Sequence, residues 1–282
     1  MKAIKVGSSG KVSVLLIVLL AIIVLCVVGV VIFAPLGKTG KVLNFSLSEP
    51  LNGATTAKID IDPGDGNLMI GSITGSEPEL ANGTLQYLEK KGLPTRSLNT
   101  SNGMATLTLK ANGGVASGFR FPWEGCYGAT EWQIFLNPGV RSDLTTYSDG
   151  GNVNLNLAGM SITRVSAETG GGKVDVVLPD NSSDLDVTAK TGGGDVTVEL
   201  GSGTTGSNTI NATSGAGNVV VSVPGNIAAR IHVTSGMGKV IMDPSFIMID
   251  KNTYESPDYD SAFDKVEITA NSGAGNVSVN TK

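Results

Sequence analysis

Thr169-Gly170-Gly171-Gly172-Lys173-Val174-Asp175-Val176-Val177-Leu178 is one copy of the phrase that decides the fold. A hydroxyl residue leads into a Gly-rich corner. A polar residue follows, and Val opens a strand in which apolar and polar positions alternate. The phrase also occurs as Ser148-Asp149-Gly150-Gly151-Asn152-Val153, Thr191-Gly192-Gly193-Gly194-Asp195-Val196, Ser214-Gly215-Ala216-Gly217-Asn218-Val219, Ser235-Gly236-Met237-Gly238-Lys239-Val240 and Ser272-Gly273-Ala274-Gly275-Asn276-Val277. Its last glycines stand at 151, 172, 194, 217, 238 and 275, so steps of 21, 22, 23 and 21 residues precede one of 37. A fixed period near 20 residues marks a solenoid.

Each corner is flanked by two strands of period 2. After it come sets such as Val153, Leu155 and Leu157, or Val196, Val198 and Leu200; before it come Val165 and Ala167, Leu185 and Val187, Ile210 and Ala212, Ile231 and Val233, or Val266 and Ile268. Alternation puts one set inward and the other outward. Two strands bent at a glycine make one rung of a β-solenoid, about 21–23 residues long. A glycine is required there for positive φ or for close backbone approach. The Ser or Thr three places before the last Gly falls in the inward phase. It is expected to join a stacked hydroxyl ladder that satisfies corner backbone groups.

Composition agrees with thin β-rungs. The 282 residues include 38 Gly, 5% are aromatic and 16% are charged. The formal net charge is -5, and with Lys2, Lys5 and Lys11 set aside the remainder carries 17 basic against 25 acidic residues. That balance argues against nucleic acid and anionic lipid surfaces as partners. Residues 12–34 form an uninterrupted apolar run that Pro35 ends. It is long enough to span a bilayer and exceeds a signal-peptide core, so a retained transmembrane helix is expected, with a cleaved signal as the alternative. The preceding lysines place residues 1–11 in the cytoplasm and the remainder outside, a localisation of single-pass cell-membrane type. Such a tail is too short for a signalling domain. Six N-x-[ST] sequons, at Asn44, Asn82, Asn99, Asn181, Asn211 and Asn276, are candidate glycosylation sites. Cys26 lies in the run and Cys126 beyond it, near Trp123 and Tyr127. The two cannot pair across a membrane. Cys126 reads as a buried small hydrophobe or as half of an intermolecular disulfide.

Residues 35–52 read as a stalk and 53–140 as an N-terminal β cap region. Within that region Ala57-Lys58-Ile59-Asp60-Ile61-Asp62-Pro63-Gly64-Asp65-Gly66-Asn67-Leu68-Met69-Ile70 repeats the phrase with Pro63 in the hydroxyl slot, which predicts a first rung. The regular repeats then occupy 141–282, with an insertion at 243–261. Gly64-Asp65-Gly66-Asn67-Leu68, Tyr87, the Trp132 strand with Asn137-Pro138-Gly139, and the stacked Gly-x-Gly-polar-Val rungs resemble the toast-rack domain of bacterial envelope-stress proteins. They are also similar to the β-strand-repeat family labelled "putative adhesins". The resemblance covers about residues 55–282. It implies a right-handed single-chain β-solenoid on the outer face of a membrane, in some members regulating a sensor kinase, and it brings no catalytic residues.

The residues themselves offer little chemistry. Gly192-Gly193-Gly194-Asp195 looks like part of a calcium-binding repeat, yet the Asp slot holds Asn or Lys in most copies. Asp60 to Gly66 fails the EF-hand spacing. His232, the only histidine, falls in the outward phase, and no zinc set exists. No corner has the phosphate-loop lysine. Outward Asp175, Asp195 and Glu199 read as solubilising residues. No catalytic, metal or cofactor-binding residue is assigned, and no cofactor is expected.

The insertion stands out. It holds Phe246, Tyr254 and Tyr259 as candidate partner-binding residues among several acids. It reads as a loop packed on a sheet face or as a binding loop. The sequence stops at Asn276-Val277-Ser278-Val279-Asn280-Thr281-Lys282, in the middle of a rung. Val277 and Val279 are thus candidates for edge docking, including self-association through this C-terminal solenoid end. The alternatives are that the insertion covers the end or that Lys282 keeps it soluble. The expected function is a non-enzymatic, membrane-anchored surface structural, adhesion or interaction module with a protein or surface-glycan partner. An envelope-stress sensor or accessory regulator acting through a membrane partner is the alternative, and a carbohydrate-active β-helix enzyme comes third.

Overall fold

The computed structural model describes residues 40–75, 78–113 and 130–282. Apart from one 3-10 turn at Glu89–Lys91, the regular elements among them are strands. In chain order come β1 (Val42–Pro50), β2 (Thr56–Gly64), β3 (Asn67–Ser72), β4 (Glu79–Leu88), β5 (Thr95–Ser101), β6 (Met104–Lys110) and β7 (Glu131–Leu136). The regular coils follow: β8 (Arg141–Ser148) with β9 (Val153–Asn156), β10 (Ile162–Thr169) with β11 (Val174–Val177), β12 (Asp186–Thr191) with β13 (Val196–Glu199), and β14 (Ser207–Ser214) with β15 (Val219–Val223). After β16 (Ala228–Ser235) and β17 (Val240–Met242) comes a hairpin, β18 (Ile247–Asp250) and β19 (Thr253–Glu255). The coil β20 (Lys265–Ser272) with β21 (Val277–Thr281) is last.

Each coil contributes one strand to each of two sheets. One sheet runs β1-β4-β7-β3-β9-β11-β13-β15-β21-β17, the other β18-β19-β16-β20-β14-β12-β10-β8-β2-β6-β5. Neighbouring coils pair in parallel, so equivalent residues stack in columns. Leu155, Val176, Val198, Val221, Val279 and Met242 form one column, and Leu144, Val165, Val187, Ile210, Ile268 and Ile231 another. Except for Met242 all of these are buried, as the strand phase predicts. Each buried aliphatic side chain contributes roughly 1.5–3 kcal/mol relative to exposure.

The corners explain the glycines. A Cβ on Gly172, Gly194 or Gly217 would overlap the carbonyl oxygen of the corresponding glycine one coil below. None of these three has a left-handed φ, so close approach is the reason they are glycine. Gly64, in the earliest copy, does adopt a φ of 64°. The middle corner position faces open space, with nothing within 4 Å of a Cβ at Gly150 or Gly171. Ala216, Met237 and Ala274 occupy that slot in other coils.

The hydroxyl ladder is present. Thr191 Oγ1 donates to the Gly172 carbonyl (2.7 Å) and accepts from Gly194 N–H (3.2 Å). Ser148, Ser214 and Ser272 bridge successive corners in the same way. A second ladder uses the polar residue after the corner: the side-chain oxygens of Asn67, Asn152, Asp195, Asn218 and Asn276 accept from the backbone N–H of Asn152, Lys173, Asn218, Asn276 and Lys239. Thr191→Val keeps the shape but leaves a buried carbonyl and N–H unpaired. It is expected to lower unfolding free energy by about 1–3 kcal/mol, while Thr191→Ser stays near wild type; chemical denaturation measures both.

The stacking order departs from the chain order at both ends. The coil β2/β3 lies between β6/β7 and β8/β9. The predicted first rung is therefore a real rung in second place, and the Trp132 strand, β7, lies beneath it. At the other end β20 lies between β14 and β16, and β21 between β15 and β17. Val277 and Val279 consequently have strands on both sides and are fully buried, which corrects the expectation of an open edge there. Among the described residues, the free edge at this end of that sheet belongs to β17. The stalk reading also changes, because residues 42–50 form β1, antiparallel to β4. Apolar Phe45 and Leu47 turn inward on that strand. Arg96 on β5 reaches Glu49 on β1 (3.1 Å) and stacks on Phe45, tying the outer strands of the two sheets together.

Among the described residues no helix is long and apolar enough to cross a membrane. The run at 12–34 lies outside them, as do Cys26, Trp123, Cys126 and Tyr127.

Candidate functional site at the terminal coil

The segment from β17 to β20 is where the regular pattern breaks. Beyond Met242 the chain turns at Asp243–Phe246, with Phe246 N–H donating to the Asp243 carbonyl (3.1 Å). The Asp243 carboxylate accepts from Ser245 N–H (2.9 Å), Ser245 Oγ (2.7 Å) and Thr281 N–H (3.3 Å). These bonds, that from the Ser245 backbone first, hold its carboxyl below the usual range. The turn carries Phe246 inward, where it is buried in the core. The hairpin β18–β19 then lies antiparallel against β16, with Tyr254 opposite Ile231.

Tyr259 is buried beneath Arg230, whose guanidinium carbon sits 4.3 Å from the ring centre, with Lys265 at 5.1 Å. Burial pushes its phenol up. Arg230 also pairs with Glu255 and with Asp260 (3.4 Å). Phe246, Tyr254 and Tyr259 therefore pack on their own chain. Tyr254 is half-buried against the core, and none of the three presents a free aromatic anchor. Of the two readings of the insertion, packing is the one these side chains adopt.

Different residues are exposed at this end. Met237, Val240, Ile241, Ile247, Met248, Ile249 and Phe263 are more than half of the large apolar side chains left exposed among the described residues. The sequence signal was available in Ile247-Met248-Ile249, an apolar run without alternation directly after a rung. The adjoining cleft, between Pro224, Phe246, Pro257 and Asp258, has a volume of about 100 Å³. Pockets for drug-sized ligands start near 300 Å³, so this one suits a few waters or one small group.

His232 Nδ1 lies 3.2 Å from Thr253 Oγ1 and its Nε2 lies 3.5 Å from Glu267. The set has the order of a hydroxyl, an imidazole and an acid. Thr253 is buried in β19, however, a strand paired on both sides, so its hydroxyl is not offered to a substrate. Asp195 pairs with Lys173 (3.6 Å) and Glu199 with Lys282 (3.3 Å). Among the described residues no group of three His, Cys, Asp or Glu could hold a metal ion. The sequons divide by exposure. Asn44, Asn99, Asn181 and Asn276 are exposed; Asn82 and Asn211 are partly buried, and Asn82 donates to Glu79 (2.7 Å).

Residues 38–199, which span the antiparallel first strands and the first regular coils, match the family model described as the N-terminal domain of toast_rack, DUF2154. The chain belongs to the toast-rack family. Its residues 182–279 match the model described as cell wall-active antibiotics response LiaF, C-terminal. No curated protein matches the chain. Among solved structures, a "putative cell adhesion protein" from Clostridium sporogenes ATCC 15579 has a TM-score of 0.62 at 21% identity, covering 86% of this chain and 100% of that one. That likeness is one of fold. A "putative adhesin" from Parabacteroides distasonis ATCC 8503 covers 86% of this chain and 98% of its own at 11% identity, with a TM-score of 0.27. In the toast-rack coils the last Gly of the phrase is set by backbone contact, and the middle corner slot is the one free to vary.

Proposed function

We propose that this toast-rack chain is a membrane-anchored, extracytoplasmic β-solenoid that serves as a non-enzymatic surface structural, adhesion or interaction module. One observation carries the reading: the coils direct their hydroxyl and amide groups at one another in two ladders, which stiffens the stack and leaves the middle corner slots and terminal coil for contact. The right-handed coil and the single anchor at 12–34 are part of the same proposal. The lysines before that run support cytoplasmic placement of the N-terminus.

A second reading has its own support. The match to the LiaF-like C-terminal model over residues 182–279 favours an accessory regulator of the envelope-stress response, working through a membrane partner. The two differ in what is recovered by in-cell crosslinking: a surface polymer or surface protein for the first, an integral membrane protein for the second.

Topology is tested with Met237→Cys in a chain whose Cys26 and Cys126 are Ser. Met237 is 81% exposed in a corner slot, so the new thiol is accessible wherever the domain resides. Labelling of intact cells by a membrane-impermeant maleimide is expected. Labelling only after lysis would overturn the extracytoplasmic assignment, and a mature protein beginning near residue 36 would overturn the retained anchor.

A further inference from the structure

The free edge of β17 has chemistry that fits a second copy of itself. In a parallel ladder alternate residues direct their backbone groups to the same side. The Lys239 carbonyl accepts from Val277 N–H (2.9 Å) and Asp243 N–H donates to the Val279 carbonyl (3.0 Å), so positions 239, 241 and 243 face β21. Val240 and Met242 accordingly aim their N–H and C=O groups at the side where, among the described residues, no strand follows. An antiparallel partner alternates hydrogen-bonded and non-hydrogen-bonded pairs. Setting Ile241 opposite its own copy makes Val240 and Met242 reciprocal hydrogen-bonded pairs and uses all four free groups.

Charge then selects the register. Centred on Ile241, the pairing puts Lys239 opposite Asp243 twice over. Centred on Val240 it puts Lys239 opposite Ile241, and centred on Lys239 or Asp243 it opposes like charges, which is destabilising. β17 spans Val240–Met242, and continuing its alternation one residue past each end assigns Lys239, Ile241 and Asp243 to one face; in this register the contact reads Lys-Asp, Ile-Ile, Asp-Lys across the pair. Asp243 is held ionised by its three donors. Lysine on an edge strand usually guards against pairing; here the guard meets its counter-charge in one register alone.

The opposite end of the stack shows a protected edge for comparison. There β1 carries Asn44, Ser46, Ser48 and Pro50 outward, and Arg96 ties it to β5. At the β17 end Ile241 is 50% exposed and Met248 58%.

We propose that the β17 edge is a homodimer interface, two copies pairing antiparallel about a two-fold axis through Ile241, with Lys239 of each facing Asp243 of the other. The inference goes beyond the surface-module reading and holds for either partner class. It is tested on the full chain in detergent micelles, with Cys26 and Cys126 replaced by Ser. Mild oxidation of Ile241→Cys is expected to give a covalent dimer, because a non-hydrogen-bonded pair brings Cα atoms to about 4.5 Å, within disulfide range. Ser278→Cys, on the adjoining strand, is expected to give none. Chains with Lys239→Cys and chains with Asp243→Cys are expected to crosslink when mixed. Lys239→Glu is expected to weaken the dimer at least about tenfold at low salt, and Lys239→Glu with Asp243→Lys to restore it. Because Asp243 also holds Ser245 and Thr281, melting temperatures accompany the charge variants, and the mixed cysteine pair reads the register without them. A chain that stays monomeric at all concentrations would overturn the proposal. So would a dimer that is insensitive to Lys239→Glu and lacks the Ile241→Cys crosslink, since that is what association through residues 12–34 alone would give.

Discussion

Gly194→Ala is expected to destabilise the protein by about 3 kcal/mol or more, while Gly193→Ala leaves it unchanged or slightly more stable. The two glycines are neighbours in one corner, and backbone contact separates them. A Cβ on Gly194 would overlap the Gly172 carbonyl and lie 2.9 Å from Lys173 N. Both obstacles are main chain in a stacked coil, so neither can swing aside as a side chain would, and the cost sits at or above the upper end of usual overpacking penalties. A Cβ on Gly193 comes no nearer than 3.6 Å, to the Gly171 carbonyl. There the lost freedom of the unfolded chain is worth roughly 0.4–1 kcal/mol in favour of Ala. Denaturant titration of both variants checks the pair, and similar loss in the two would show that the corner glycines act through φ after all.

Val279→Asp is expected to be as damaging as Val198→Asp, about 3–5 kcal/mol each, with Thr197→Asp costing at most about 1 kcal/mol, from the like charge of neighbouring Asp175. Val198 sits in the middle of the stack and Val279 in β21, yet both are fully enclosed and belong to one inward column. A carboxylate at either point finds no partner. Thr197 faces outward beside Asp175 and Val220, where water remains available. Were Val279 at an open rim, its substitution would be tolerated far better than that of Val198. Thermal unfolding of the three variants distinguishes the cases.

That second comparison marks what could be read from the residues alone. Period, strand phase and the inward Ser and Thr slot all follow from short-range spacing, and the buried positions of Val174 to Leu200 match them. The order of stacking does not. Every coil offers the same inward columns and corner ladder to its neighbour, so β14 fits β16 and β20 about equally well by pattern. The connection decides between them, and the 37-residue step, with its hairpin, gives residues 265–281 the reach to slip under β16 and β17. The same irregular spacing concealed that Phe246 turns into the core and that Tyr259 is covered by Arg230 on the outer side of β16, because no alternation assigns them a face. At the first strands the phrase at 57–70 was legible as a rung, but nothing local told that β6 and β7 would be laid beneath it.

Threading one coil between two made earlier changes how the stack can be built. Adjacent regular coils link residues 18–23 positions apart, whereas Ser272 reaches back 55 positions to Gly217 and Asn276 58 to Asn218. During synthesis β16 and β17 emerge when β14 and β15 are the nearest vacant neighbours. They must either wait undocked or settle there and be displaced when residues 265–281 arrive. Accretion one coil at a time, the usual economy of a repeat protein, thus stops short of this end. Closing it is a single late step over long chain separations, of the kind that slows folding. A polypeptide arrested between 243 and 264 would therefore carry an undocked or mispaired terminus, in a position for quality-control proteases to recognise it as unfinished.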